Sequence, residues 1–285
     1  MICLLAMEGG QCMHSCAIHP MLRGLVIRTV GFEEFACAGL VHRELPFAGL
    51  PLILVFGAPY LLSEASDSDQ PLVSRRSFVA GLHETRTTSK TTGATWGVQI
   101  DLTPIGAYRI LGLPLGDLAN LVVDATEVFG DVIFQLEQQL FDARSWADRF
   151  DLIDAFLIER LLSGPRESTE IAWVWHQLRS THGGVPIALL ADELGWSRKR
   201  LIGACRDQLG LPPKMLGRVL RFQRLLALNG NADAASWSDL AIRSGYCDQA
   251  HLVREFRAFT GITPGMYRRD AASSGGTGGA AAVVG

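Results

Sequence analysis

The sequence predicts an α+β protein: a β-rich first half with helices appended, then an all-α half built from one small unit used twice. Three observations carry this. Short apolar runs separated by Gly, Pro, Ser and Asp occupy residues 22–103, a spacing that suits a sandwich or small barrel. From Pro104 the apolar residues fall at helical intervals. Residues 237–269 then repeat, about fifty positions on, a pattern that begins at Leu190.

Two domains fit the length, since 285 residues, 48% of them hydrophobic, are enough to bury a core in each. The net charge of −3 argues by itself against nucleic acid, but it is unevenly placed. Residues 187–270 hold 13 Lys and Arg against 8 Asp and Glu, whereas residues 1–186 hold 13 against 21. A basic half joined to an acidic half suits a DNA-binding domain carried by a regulatory one; ordinary surface variation is the plainer account of the same numbers. Six scattered cysteines form no disulfide framework, so a cytoplasmic protein is expected. The apolar run Ile2 to Met7 is too short for a bilayer and follows no cationic segment, so no membrane partner is expected.

Residues 1–20 have no period and are expected to be a disordered or mis-assigned leader, with Met21 as the true start. The sharper alternative is a metal held by Cys12, His14, Cys16 and His19, all competent ligands; disorder is favoured, and neither metal nor cofactor is expected. Residues 21–165 form the regulatory or dimerisation domain. Its strands are read in LRGLVIRTV, FEEFACAGLVH, LPLILVFG, SFVAGL and TWGVQIDL, with Thr85–Thr95 as a polar hairpin or loop tip. Pro104 starts a helix through Leu111. LGLPLGDLANLVVDATEVFGD reads as two short helical pieces, then Val132–Phe141 and Ser145–Leu162 as amphipathic helices. The second puts Phe150, Ile153, Phe156, Leu157 and Leu161 on one face. Residues 166–270 are the second domain, opened by a helix from Ser168 or Thr169 to His182. Residues 271–285, without charge or period, are expected to be a disordered tail.

In WSDLAIRSGYCDQAHLVREFRAFTGITPGMYRR (residues 237–269), Leu240, Ala241 and Ile242 give a short helix its apolar face. Gly245 ends that helix, and Asp248 caps the next one. Leu252, Phe256 and Phe259 must then face inward. Gln249, Val253, Arg254 and Arg257 fall on another side, with the amide and guanidinium groups that read base edges in a major groove. Upstream, Leu190-Ala191 matches Leu240-Ala241 and Gly195-Trp196 matches Gly245-Tyr246. One residue out of step, Leu201, Arg206, Gly210 and Pro213 match Leu252, Arg257, Gly261 and Pro264. Met215–Leu228 links the copies as a helix of roughly 20 Å. Two such units reach successive major-groove faces, roughly 34 Å apart, without a dimer.

From about Pro186 to Arg269 the sequence resembles the paired helix–turn–helix domain of AraC-type transcriptional regulators. The run GYCDQAHLVREFRAFTGITPGMYRR follows that family's signature, and LGLPPKMLGRVLRFQRLL its first-unit exit and linker helix. DLTPIGAYRILGLPLGDLANLVVD resembles, more weakly, a segment of one subgroup in which a β domain precedes the pair. The resemblance implies a cupin-like, barrel-like N-terminal domain and a sequence-specific DNA-binding regulator, activator or repressor. Its implied partners are double-stranded DNA, a small-molecule effector, RNA polymerase and a second copy of the chain. Some DNA-repair relatives carry a zinc held by two Cys pairs; here the second pair is missing and only Cys37 is left over.

By matching positions and outward direction, Gln249, Val253, Arg254 and Lys199 are assigned to base edges. Arg198, Arg200, Arg206, Arg257, Arg268 and Arg269 are assigned to phosphates, against a merely solvated basic face. Arg218, Arg221 and Arg224 on the linker stand evenly between phosphate contact and solvation, and His251 between phosphate and packing. The first recognition helix departs from the family: Cys205 stands where Phe256 stands in the second, a loss on the order of 2–3 kcal/mol if uncompensated. Its Ile202 and Gly203 make no bidentate base contact, so this unit is expected to supply mostly phosphate affinity.

No catalytic motif is present, and no enzyme is expected. His42, His83, Glu84 and Asp101 match no ligand spacing, and Trp96 and Tyr108 are more plainly core than pocket. The competing reading is a ligand-binding or enzymatic barrel whose helix–turn–helix pair no longer binds DNA specifically.

Overall fold

Alternating apolar residues draw the first half of the chain into two antiparallel sheets. The computed structural model describes residues 3–7, 11–34, 41–62, 72–230 and 236–273. Its strands are β1 (Cys3–Met7), β2 (Gln11–Ser15), β3 (Val26–Glu34), β4 (Val41–Glu44), β5 (Leu50–Val55), β6 (Tyr60–Leu62), β7 (Val73–Arg75), β8 (Phe78–Ala80), β9 (Thr87–Thr91), β10 (Thr95–Leu102) and β11 (Val122–Asp124). One sheet has the order β1-β2-β3-β10-β5-β8-β11, the other β4-β9-β6-β7.

The larger sheet is organised around β5 and β10. Leu50, Leu52 and Leu54 lie opposite Leu102, Ile100 and Val98, and all six are fully buried. Each such side chain contributes roughly 1.5–3 kcal/mol by leaving water. That face belongs to the main core, shared with helices; the other carries Phe32, Ile53 and Val55, which pack with Tyr60, Leu62 and Phe78. On this second face Asp101 is wholly buried, paired with Arg28 Nε and accepting from Gln99 Nε2 at 2.8 Å. Thr103 then caps the first helix, its Oγ1 accepting from Gly106 N–H at 3.0 Å.

The helices are α1 (Pro104–Leu111), α2 (Ala125–Phe129), α3 (Val132–Asp142), α4 (Trp146–Ser163), α5 (Thr169–Ser180), α6 (Ile187–Glu193), α7 (Arg198–Leu209), α8 (Pro213–Gly230), α9 (Trp237–Ser244), α10 (Gln249–Thr260) and α11 (Pro264–Ser273). The expected apolar face of α4 is the buried one, with Phe150, Ile153, Phe156, Leu157 and Leu161 all inward. Among the described residues no helix is long and apolar enough to cross a membrane.

Two expectations meet a different structure. The leader is not a loose segment: β2 pairs with β3 from Gln11↔Glu34 to Ser15↔Val30. His14 stacks on Trp146 at 4.5 Å, and Trp146 Nε1 donates to Glu33 at 3.0 Å. Strand pairing rather than apolar period orders this stretch, which is why it left no periodic signal. Thr85–Thr95 is neither a polar hairpin nor a loop tip, because Thr87–Thr91 is β9, paired with β4 and β6, with Ser89 and Thr91 buried and β-branched Thr suited to the pleat. The two short helical pieces expected in the next stretch are the 3-10 helix Leu115–Leu118 and α2, with the strand Val122–Asp124, paired to β8, between them. Cys12, His14, Cys16 and His19, the alternative metal ligands, form no metal-holding cluster among the described residues. Cys12 Sγ lies 3.5 Å from His14 Nε2, whereas Cys16 is half-buried elsewhere, its thiol pushed up to about 11 by burial and then by Asp154. Cys37 and residues 274–285 lie outside the described residues, and the tail's first residues, through Ser273, belong to α11.

Deleting residues 1–20 removes the β2 ladder and the His14–Trp146 stack, at an expected cost of about 2 kcal/mol. Thermal unfolding of the truncated chain checks this: an unchanged melting temperature would restore the dispensable leader.

Candidate nucleic-acid interface

Each helix–turn–helix unit is shaped by caps that are plain in the sequence. Ser197 Oγ accepts from Arg200 N–H at 3.2 Å to start α7, and Asp248 accepts from His251 N–H at 2.6 Å to start α10. Both helices end on a left-handed glycine, Gly210 at φ +86° and Gly261 at φ +74°, a conformation costly to any residue with a Cβ.

The second unit is locked by aromatic packing. Phe256 meets Phe222 of α8 edge-on at 5.6 Å, Trp237 at 6.0 Å and Tyr267 at 5.4 Å, and Phe259 lies 4.8 Å from Phe222. The first unit has the aliphatic set Leu201, Cys205 and Leu209 instead, all fully buried. Burial pushes the Cys205 thiol up to about 12, so it is a neutral apolar filler there. What the missing ring leaves uncovered is met from outside the unit, because α7 also packs against α1 and the Leu115–Leu118 turn.

Of the linker arginines, Arg218 and Arg221 are held by partners within the domain. Arg218 Nε lies 2.7 Å from Glu255 Oε1 and Arg221 Nε 3.9 Å from Glu255 Oε2, and Arg221 also donates to Gly245 O at 3.4 Å. His251 Nε2 lies 3.7 Å from the same carboxylate, so it packs rather than pointing away. Glu255 was missed because it sits beside Phe256 on what reads as a solvated turn; only the spacing to Arg218, 37 residues upstream, marks it.

The assigned base-reading residues sit on the first two turns of their helices. Gln249 and Arg254 are exposed on α10, Lys199 on α7, and Val253 is half-buried against the core edge. Arg198, Arg206 and Arg257 are exposed, as is Arg200, whose guanidinium lies 4.2 Å over the Trp196 ring. Arg269 is exposed too, but Arg268 is committed inward, donating to Asn229 Oδ1 at 2.7 Å and covering Trp237 at 4.0 Å. Ile242, expected inward, is exposed, since only Leu240 and Ala241 reach the core.

The opposite ends of both recognition helices touch the N-terminal domain. Arg86 N–H donates to Phe259 O at 3.1 Å, and its guanidinium lies where a side chain at Gly261 would go, with Cζ 3.0 Å from an added Cβ. Gly210 has the same role for α7, an added Cβ meeting Leu82 Cδ1 at 3.3 Å and Leu115 Cβ at 3.4 Å. Ala48 N–H donates to Gln223 Oε1 of α8 at 3.1 Å. The segment from Leu82 to Arg86 is itself pinned by Asn120, whose Oδ1 accepts from Glu84 N–H at 2.8 Å. His83 in that segment is half-buried, and desolvation lowers its pKa to about 4, leaving it neutral. Asp101 is spent on Arg28, and Trp96 and Tyr108 pack on the core; the His42 side chain lies outside the described residues.

Residues 190–270 match the model of a helix-turn-helix domain family. This segment is an AraC-type helix–turn–helix domain. No curated protein sequence matches the chain. Solved structures similar to it include ToxT from Vibrio cholerae in its P21 form, at 10% identity over 84% of this chain and 96% of that one, TM-score 0.46. Another is ToxT of strain SCE256 with an unsaturated fatty acid bound, at 11% identity over 82% and 96%, TM-score 0.41. KdgF from Halomonas sp. matches 35% of this chain and 85% of its own at 11% identity, TM-score 0.26. Likenesses of this order assign neither fold nor ligand. The AraC-type assignment rests on the domain model and on the two capped units above.

Replacing Glu255 in the AraC-type domain by Ala strands Arg218 and Arg221. The expected loss is roughly 2–3 kcal/mol, under the range for a fully buried pair because water reaches Arg218. Denaturant unfolding checks it; a variant as stable as the parent would make the ion pair ornamental.

Proposed function

We propose that this protein is a transcriptional regulator that binds duplex DNA through both units of its AraC-type domain and is controlled from its N-terminal domain by a small molecule. The observation that carries the reading is the end-on arrangement: Arg198, Lys199, Gln249 and Arg254, in the first two turns of α7 and α10, are exposed, while the glycine caps of both helices rest on the N-terminal domain. A domain that grips both recognition helices at one end is placed to change their mutual angle without covering the DNA-facing end. The reading assigns the chain no catalytic step. The reading puts the effector at the layer between the sheets, where Phe32, Ile53 and Tyr60 pack and Gln99, which donates to Asp101, stands opposite Ile53. Homodimerisation and contact with RNA polymerase belong to the same proposal, to be read by sedimentation of the full chain and by footprinting with polymerase present.

Binding of the full chain to duplexes from its own upstream region, over a salt series, tests the core of this. A steep fall in affinity with salt is expected, since each phosphate contact releases counterions; salt-insensitive or absent binding by folded protein would favour the barrel with an inactive pair. Arg254→Ala is expected to cost about 1–3 kcal/mol on the specific site and to relax the preference at one base pair. Uniform weakening on all sequences would move Arg254 to the phosphates. Arg86→Ala is expected to weaken specific binding about fivefold by freeing α10 from its rest, with an unchanged salt slope because no phosphate contact is lost. Unaltered affinity would remove the loop from the control route.

A further inference from the structure

The first recognition helix keeps a face that neither packing nor phosphate binding explains. Ile202 is exposed on α7, one of the few large apolar side chains at the surface of this domain. Beside it Gly203 stands in the helix interior, where an added Cβ would meet nothing within 4 Å. Glycine is the least favourable helix residue after proline, and at this position no neighbour demands it. The two follow Leu201 as Val253 and Arg254 follow Leu252, so Ile202 stands in α7 where Val253 stands on the assigned base-reading face of α10. Ile202 also lines an apolar groove with Ile187, Pro212 and Pro213, whose lining includes the cations Arg198 and Lys214.

We propose that Ile202 and Gly203 make α7 a reader of thymine, Ile202 packing on the C5-methyl group in the major groove while Gly203 lets the helix backbone approach the base pairs closely. The thymine methyl is the only apolar group that B-DNA presents in that groove, and an exposed β-branched side chain among cations matches it in both shape and surroundings. The first unit then selects A·T pairs by apolar contact, in place of the phosphate affinity alone that its lack of bidentate donors implied. This inference rests on the DNA-binding reading above.

The test uses the full chain and the duplex it enriches from a random-sequence pool. Thymines in the enriched site are replaced one at a time by deoxyuridine, which removes the methyl and leaves every hydrogen-bonding group in place. With wild type, one replacement in the first unit's half-site is expected to weaken binding about fourfold, the factor one buried methyl is worth. With Ile202→Ala, the same replacement is expected to change binding less than about 1.5-fold, as a coupled pair requires. Gly203→Leu serves as the second variant: it is expected to melt no lower than wild type and to lose the enriched site's advantage over random duplex. Equal deoxyuridine effects in wild type and Ile202→Ala, or none at any thymine, would overturn the proposal and leave the regulator standing. Failure to enrich any sequence would overturn both.

Discussion

The second half of the molecule depends on one helix serving two cores. α8 spans 18 residues, about 27 Å of rod, and buries Leu216, Val219 and Leu220 as well as Phe222 and Leu225. Phe222 is the fixed point of the second unit, 4.8 Å from Phe259 and 5.6 Å from Phe256. Gly217 is the fixed point on the other side, because the turn after α5 runs against it so closely that a Cβ on Gly183 would lie 2.0 Å from Gly217 O. Bulk at one site and its absence at the other hold the two units on one axis.

The polar arrangement follows from that rod. Arg218 and Arg221 point from α8 to the buried side of α10 and meet Glu255, so they orient the recognition helix rather than touch a ligand. Charges spent internally leave Gln249 and Arg254 as the exposed polar groups at the start of α10. The same division appears at Arg268, whose guanidinium covers Trp237. A basic surplus counted along the chain therefore overstates the surface available to phosphates, since half-buried guanidinium groups also serve as structural cations.

The contact between the domains is well placed. It includes the loop from Leu82 to Arg86, the Leu115–Leu118 turn, α1 packed on α7, the Arg109–Glu167 ion pair at 3.5 Å and the Ala48–Gln223 hydrogen bond. Both glycine caps lie in it, so the residues that end the recognition helices are the ones that meet the regulatory half. Glycine serves twice there: it accepts the positive φ, and it leaves room for Arg86 and Leu82.

Much of this was legible in the order of residues, because helices and caps are local. Ser197, Asp248, Gly210 and Gly261 mark helix ends within a few residues, and Phe150 to Leu161 or Leu252 to Phe259 mark buried faces by period alone. The repeat at residues 190–270 was legible for the same reason. What tertiary structure alone decided is wherever the partner is distant in sequence. β2 and β9 owe their strands to neighbours that no period announces, and Ile242 is exposed although its two neighbours are buried. Glu255 looks solvated until Arg218 and Arg221 arrive from another helix. Short-range steric and hydrogen-bonding preferences are written in a window of a few residues, whereas pairing of charges and strands is settled only when the chain brings remote groups within a few ångströms.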